Sequence, residues 1–266
     1  MMSVLSLDFM QNAVMAGFLA CIACGIIGTL VVVNRVVFIS GGIAHAAYGG
    51  VGLALFLGFS PLLGALGFSV AVGLAVAFIT LKNKKRADTV IGALWAMGMA
   101  TGIILTDLTP GYNVDLMSYL FGSILAVPSG DLYLMALLDC LVIAFVAFFF
   151  RDLLSMSFDE DFAVSIGVKV KPLYFLLVVM IAVTVVLIIR VVGLIMVIAM
   201  LSIPPYIAEK FAKDLKLMML YSVGLNLVFT AAGLLLAYFY NLTSGAAIVL
   251  CASAAFMLTE VFQRKS

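Results

Sequence analysis

Apolar runs of about twenty residues, enough to cross roughly 30 Å of hydrocarbon at about 1.5 Å per residue, follow one another from end to end of this chain with only brief polar breaks. In hydrocarbon a segment must satisfy its backbone amides internally, so such runs fold as helices. Charged residues are 10% of the 266, whereas a water-soluble domain covers its surface with about a quarter. The fold class is therefore all-α: a polytopic membrane protein forming one transmembrane domain over 1–266, with no segment left for a separate soluble domain. The first run, within "MMSVLSLDFMQNAVMAGFLA", has neither a basic leader nor a small-residue cleavage site and is read as a retained span. The net charge of +1 points to no nucleic-acid partner.

Lys and Arg in short loops stay on the cytoplasmic side, and "KNKKRAD" is the anchor. Alternating from it gives nine candidate spans, near 10–33, 37–57, 62–81, 89–106, 132–150, 172–189, 192–208, 217–239 and 245–262. Of the fourteen basic residues only Arg190 is then left near the outer face, and the C-terminus is cytoplasmic. The outer side carries Asp8, Asp107, Asp115 and Asp131. Two pairs of spans, 10–33 with 37–57 and 172–189 with 192–208, have very short connections, so one member can be a partial helix and the count is eight or nine.

Two connections differ from ordinary loops. The outer one, "LTPGYNVDLMSYLFGSILAVPSGD", is too apolar to be solvated and too short to cross twice, and is expected to form an outer-face helix over 112–128. The inner segment, 152–171, is amphipathic, with Asp159, Glu160 and Asp161 opening a helical stretch, Phe162, Ala163 and Ile166 at helical spacing, and Gly167 as its stop. It reads either as a docking helix for another protein or as a solvated loop with a surface helix.

The only histidine, His45, lies in "ISGGIAHAAYGGVGLALFLG". Gly42, Ala46, Gly50 and Ala54 form a small-residue stripe, with Gly41, His45 and Gly49 as the adjacent ridge, so this helix is expected against protein rather than lipid. An imidazole inside a span is costly unless it serves a path or finds a partner. His45 is either a ligand for a divalent cation such as Zn²⁺, Mn²⁺ or Fe²⁺, or a donor to a neighbouring helix carbonyl. Asp139, also within a span, is a pathway carboxylate or a residue hydrogen-bonded to another helix. The Cys21 and Cys24 pair of "CIAC" is read as part of a packed helix face in preference to a redox or metal site. Pro204 and Pro205 are expected to break a helix near its cytoplasmic end. No G-x-x-x-x-G-K-[ST] loop is present, so any ATP coupling must come from another subunit.

Four segments resemble one family, the membrane permease subunit of bacterial ABC importers for zinc, manganese and iron(II). They are "GTLVVVNRVVFISGGIAHAAYGGVGLALFLG", "ADTVIGALWAMGMATGIIL", "VDLMSYLFGSILAVPSGDLYL" and "DEDFAVSIGVKVKPLYFLLVVMIAVTVVLIIRVVGLIMVIAMLSIPPYIAEKFA". The third, the outer-face segment, is the most specific and is most like the zinc members. The resemblance implies a type II ABC importer-like permease in the bacterial inner membrane. It implies a homodimer docked to a cytoplasmic ABC ATPase and receiving its metal from an extracytoplasmic solute-binding protein. It also implies no permanently bound cofactor and no enzymatic activity of the chain itself, with ATP bound on the partner. Asp159, Glu160, Asp161, Phe162, Ala163 and Gly167 would seat the ATPase; Asp107 and Asp115 would flank the outer mouth; His45 would be the transit ligand, paired across the dimer. The family's Asp one turn before the His is Gly41 here, and the second His of many zinc members is Ala96. Those departures leave open a permease for a metal chelate or small cofactor. An intramembrane enzyme built from His45 with Asp139 or the cysteines is a remoter alternative.

Overall fold

The computed structural model describes residues 8–82, 87–110 and 127–263. Ten helices run through them: α1 (Asp8–Val33), α2 (Val37–Leu57), α3 (Pro61–Lys82), α4 (Ala87–Asp107), α5 (Ser129–Phe158), α6 (Glu160–Ser165), α7 (Val170–Val192), α8 (Leu194–Glu209), α9 (Leu215–Tyr240) and α10 (Ser244–Gln263). Eight are long and apolar enough to cross a membrane, all except α6 and α8. The seventh of the nine candidate spans is thus the short one. Gly193, at φ 83°, ends α7 and starts α8, which is only 16 residues long.

The described residues gather into two compact units. Of these, unit one takes residues 8–35, 127–148 and 187–263, and unit two takes 36–82, 87–110 and 149–186.

In unit one, α8 and α9 lie against α1, and α9 and α8 against α10. The α1 face is set by Ala20, Cys21, Cys24, Ile27 and Leu30, all fully buried at helical spacing. Small residues bring the backbones together: a Cβ built on Gly28 would stand 2.7 Å from the Leu201 carbonyl oxygen. Thr29 donates to the Gly25 carbonyl at 2.7 Å and meets the Ser222 hydroxyl at 3.2 Å, so its buried hydroxyl is satisfied. Cys21 and Cys24 are free, buried thiols, and Cys21 meets the Thr230 hydroxyl at 3.4 Å, as expected of a packed face.

Pro204 and Pro205 do not break α8, which continues to Glu209 with both prolines buried. Proline at 204 removes the amide that would bond the carbonyl of Met200. That carbonyl accepts instead from Nδ2 of the buried Asn226 at 3.3 Å, a side-chain substitute for the lost ladder bond. Where α8 ends, Lys210 pairs with Glu260 of α10, and Tyr206 donates to the same carboxylate at 3.1 Å. Hydrogen bonding to Glu260 raises the Lys210 ammonium above its ordinary range.

In unit two, α2 is enclosed by α3 and α4. The α5 helix runs eight residues beyond the expected span end at 150, because Leu153 and Met156, three apart, are buried on one face and carry the helix through the polar Arg151 and Asp152. The first part of the expected 152–171 segment is therefore the end of α5.

Candidate functional site

His45 sits near the middle of α2, and its surroundings follow from the stripe of small residues around it. Gly42 faces Ile91 of α4, and Gly98 of α4 faces Ala46, where an added Cβ would stand 2.8 Å from the Ala46 Cα. Gly50 and Gly64 of α3 meet backbone to backbone, as do Gly52 and Gly102. A Cβ on Gly49 would stand 2.7 Å from the Gly98 carbonyl oxygen. Helix α2 is thus held on two sides by contacts that leave no room for side chains, as the sequence stripe requires.

Within that frame the imidazole of His45 stacks on the indole of Trp95, with ring centroids 3.9 Å apart and planes 16° from parallel. Trp95 Nε1 donates to Met99 Sδ one turn further along α4, at 3.2 Å. Nδ1 of His45 is buried and has no hydrogen-bond partner among the described residues. Trp95 and Met99 escaped the sequence reading. The signal was present in the position next to Ala96, occupied by the chain's only tryptophan.

The other candidates are distributed. Gly41, where the family's carboxylate would stand, is buried, and Ala96 is exposed. Asp107 ends α4 and is exposed. Asp115 and residues 112–126 of the expected outer helix lie outside the described residues. Among the described residues no three His, Cys, Asp or Glu side chains gather to hold a metal ion.

The inner segment folds as a capped helix. Asp159 accepts from the Phe162 amide at 2.9 Å as N-cap of α6. At the other end the amide of Val168 reaches the Ala163 carbonyl, and that of Gly167, at φ 89°, reaches the Val164 carbonyl, both at 3.0 Å. This pair of bonds is a Schellman stop that needs glycine at 167. The structure separates the three apolar residues expected on one face: Ala163 is fully buried, while Phe162 and Ile166 are each 54% exposed.

In unit one, Asp139 is 5% exposed and neither carboxylate oxygen has a hydrogen-bond partner among the described residues. It lies within electrostatic range of Cys21 and Cys24. Burying a carboxylate without a partner is costly. Asp139→Leu is therefore expected to raise the temperature at which the purified protein loses its monodisperse peak; a fall would show a stabilising partner for the carboxylate.

Eight membrane-length helices, a lone imidazole inside a span and a capped helix between two spans are features in keeping with a membrane transport subunit. The chain belongs to the ABC 3 transport family, whose model matches residues 6–263, and it is a membrane subunit of a transport system, not itself an enzyme. It is 50% identical to an uncharacterized membrane protein of Synechocystis sp. over 99% of this chain and 94% of that one. It is 32% identical to the manganese transport system membrane protein MntC of Listeria monocytogenes, over 97% of this chain and 92% of that one. Its fold matches the structure of PsaBC from Streptococcus pneumoniae in complex with Fab, with a TM-score of 0.87 and 30% identity over 97% and 93% of the two chains.

Proposed function

We propose that this chain is the permease of an ATP-driven importer for a divalent first-row transition-metal ion, with His45 as the residue the ion touches in transit. The observation that carries the reading is the sole imidazole of the chain, fixed in a glycine-held span with Nδ1 buried and unpartnered. An ionisable side chain in that setting is best accounted for by a path for a cation.

Manganese is the favoured ion, ahead of the zinc expected from the outer segment. The Listeria relative's name supports this, and so does the donor chemistry. Zinc seeks four close nitrogen or sulfur ligands, whereas manganese accepts a shell rich in water and carbonyl oxygen. Gly41 stands where the family carries an Asp and Ala96 where many zinc members carry a second His, so one imidazole from each subunit of a homodimer leaves most of the shell to oxygen. Such weak holding suits an ion that must leave again.

The coupling surface is α6, with Phe162 and Ile166 offered to the ATPase and Asp159, Ala163 and Gly167 shaping the helix beneath them. Glu160 and Asp161 supply its acidic rim. Asp107, exposed at the end of α4, is assigned to an outer mouth that meets the solute-binding protein. The distribution of Lys and Arg supports a cytoplasmic location for 152–171 and the C-terminus.

The test is uptake of radioactive manganese and zinc by the permease reconstituted with its ATPase and binding protein. Manganese is expected to enter with ATP and to be outcompeted poorly by zinc. His45→Ala is expected to cut uptake by about ten- to a hundredfold, the scale on which metal sites respond to a lost supporting residue. Undiminished uptake in that variant removes His45 from the path.

A further inference from the structure

We infer that Trp95 is the positioning residue for His45, its indole face doing the orienting work that a second hydrogen bond does at most metal-binding histidines. A histidine that meets a metal through one nitrogen usually donates from the other to a carboxylate, carbonyl or water, which fixes the ring. Among the described residues His45 makes no such bond: Nδ1 is buried and unpartnered, and Gly41 one turn earlier has no side chain to offer. What touches the ring instead is the Trp95 indole, 3.9 Å between centroids and 16° from parallel. The indole is itself pinned, because Nε1 donates to Met99 Sδ at 3.2 Å. The two helices cannot slide to release the stack, since Gly42 against Ile91 and Gly98 against Ala46 fix their register on either side of it. Stacking fixes the plane of the imidazole and leaves its edge at Nε2 as the side able to meet an ion. A flat aromatic surface also holds the ring without adding a charge or a ligand, so the ion is oriented but not retained.

The inference rests on His45 being the ion's contact, and the experiment separates the two. The chain has one histidine and one tryptophan, so histidine-labelled full-length permease gives a single imidazole signal and its only indole neighbour is Trp95. In nanodiscs without metal, that signal is expected upfield, shifted by the indole ring current, and is expected to lose the shift in Trp95→Leu while Trp95→Phe keeps part of it. With ATPase and binding protein present, Trp95→Leu is expected to raise the half-saturating manganese concentration about two- to tenfold at unchanged maximal rate, matching the worth of an aromatic pair. Trp95→Phe should restore most of the affinity. Met99→Leu, which removes only the acceptor of the indole N–H, should give a smaller rise in the same direction. An unshifted imidazole signal in the wild type, or one indifferent to Trp95→Leu, overturns the positioning role. A shifted signal that added Mn²⁺ fails to broaden keeps the stack and overturns His45 as the ion's contact, and with it the role assigned to Trp95 in transport.

Discussion

Gly50→Leu is expected to yield no folded permease, while Gly67→Leu on the facing helix yields protein at the wild-type level. Gly50 of α2 and Gly64 of α3 touch through their backbones, so a Cβ at either would overlap a carbonyl of the other helix. A flexible side chain could swing aside, but a helix backbone cannot; relief requires α2 and α3 to separate. Overpacking a tight core costs about 1–3 kcal/mol where neighbours can adjust, and more where they cannot. Here the separation would also undo the Gly49 contact with Phe68 of α3 and press α2 against α4, where Gly49 and Gly52 already meet Gly98 and Gly102 with no room to spare, so one leucine strains the whole of the α2 enclosure. Gly67 is the control. It lies one turn along α3 from Gly64, is exposed, and has nothing within 4 Å of an added Cβ among the described residues. Leucine there gains about 1 kcal/mol of helix propensity over glycine. Yield of monodisperse protein after detergent extraction, and its survival on heating, read out the difference. Equal yields of the two variants would mean that the α2 and α3 backbones do not meet as described.

That enclosure shows what could be read from the sequence and what could not. The stripe at 42, 46, 50 and 54 repeats every four residues, the period at which one helix face recurs, so close packing of α2 was legible without any knowledge of its neighbours. Its end at Leu57 was likewise legible, because Gly58 follows in a left-handed cap at φ 75°. The stack of Trp95 on His45 was not, since it joins residues in different spans and no spacing rule relates position 45 to position 95. The short α8 escaped for a different reason. The break before it and a partial member of the pair 172–189 and 192–208 were expected, but hydropathy scores "LIMVIAMLSIPPYIAE" much as it scores a full span and so could not say which member is short. Pro204 and Pro205 suggested a break because proline removes ladder bonds, yet the compensating donor, Asn226, lies on another helix and is invisible to local reading. In the inner segment the caps were legible at Asp159 and Gly167, since both are set within a few residues of the chain. The division of its apolar residues was not, because burial of Ala163 depends on what packs behind α6.

That division leads to the second large effect. Phe162→Asp is expected to abolish ATP-driven uptake and to release the ATPase subunit on purification, without unfolding the permease. The fold should survive because Phe162 is 54% exposed, and the helix is held by the Asp159 cap and the Gly167 stop, which use backbone groups that any side chain at 162 leaves in place. The interface should not survive. Phe158, Phe162, Val164 and Ile166 are all more than half exposed between the ends of α5 and α7, where nothing in the chain covers them among the described residues. An aromatic anchor at the centre of such a patch is worth about 2–4 kcal/mol of association, roughly a thirty- to thousandfold loss of affinity when removed. Aspartate adds a fourth carboxylate beside Asp159, Glu160 and Asp161, so desolvating the patch against a partner becomes costlier still. Phe162→Leu, which keeps an apolar side chain, should retain most coupling, whereas Ala163→Leu should fail by a different route, by destabilising the permease, because Ala163 is fully buried. Copurification of the ATPase, uptake, and thermal survival measured on the three variants distinguish docking from folding. If Phe162→Asp kept both the ATPase and wild-type uptake, α6 would be a surface helix and the ATPase would have to seat elsewhere on the chain.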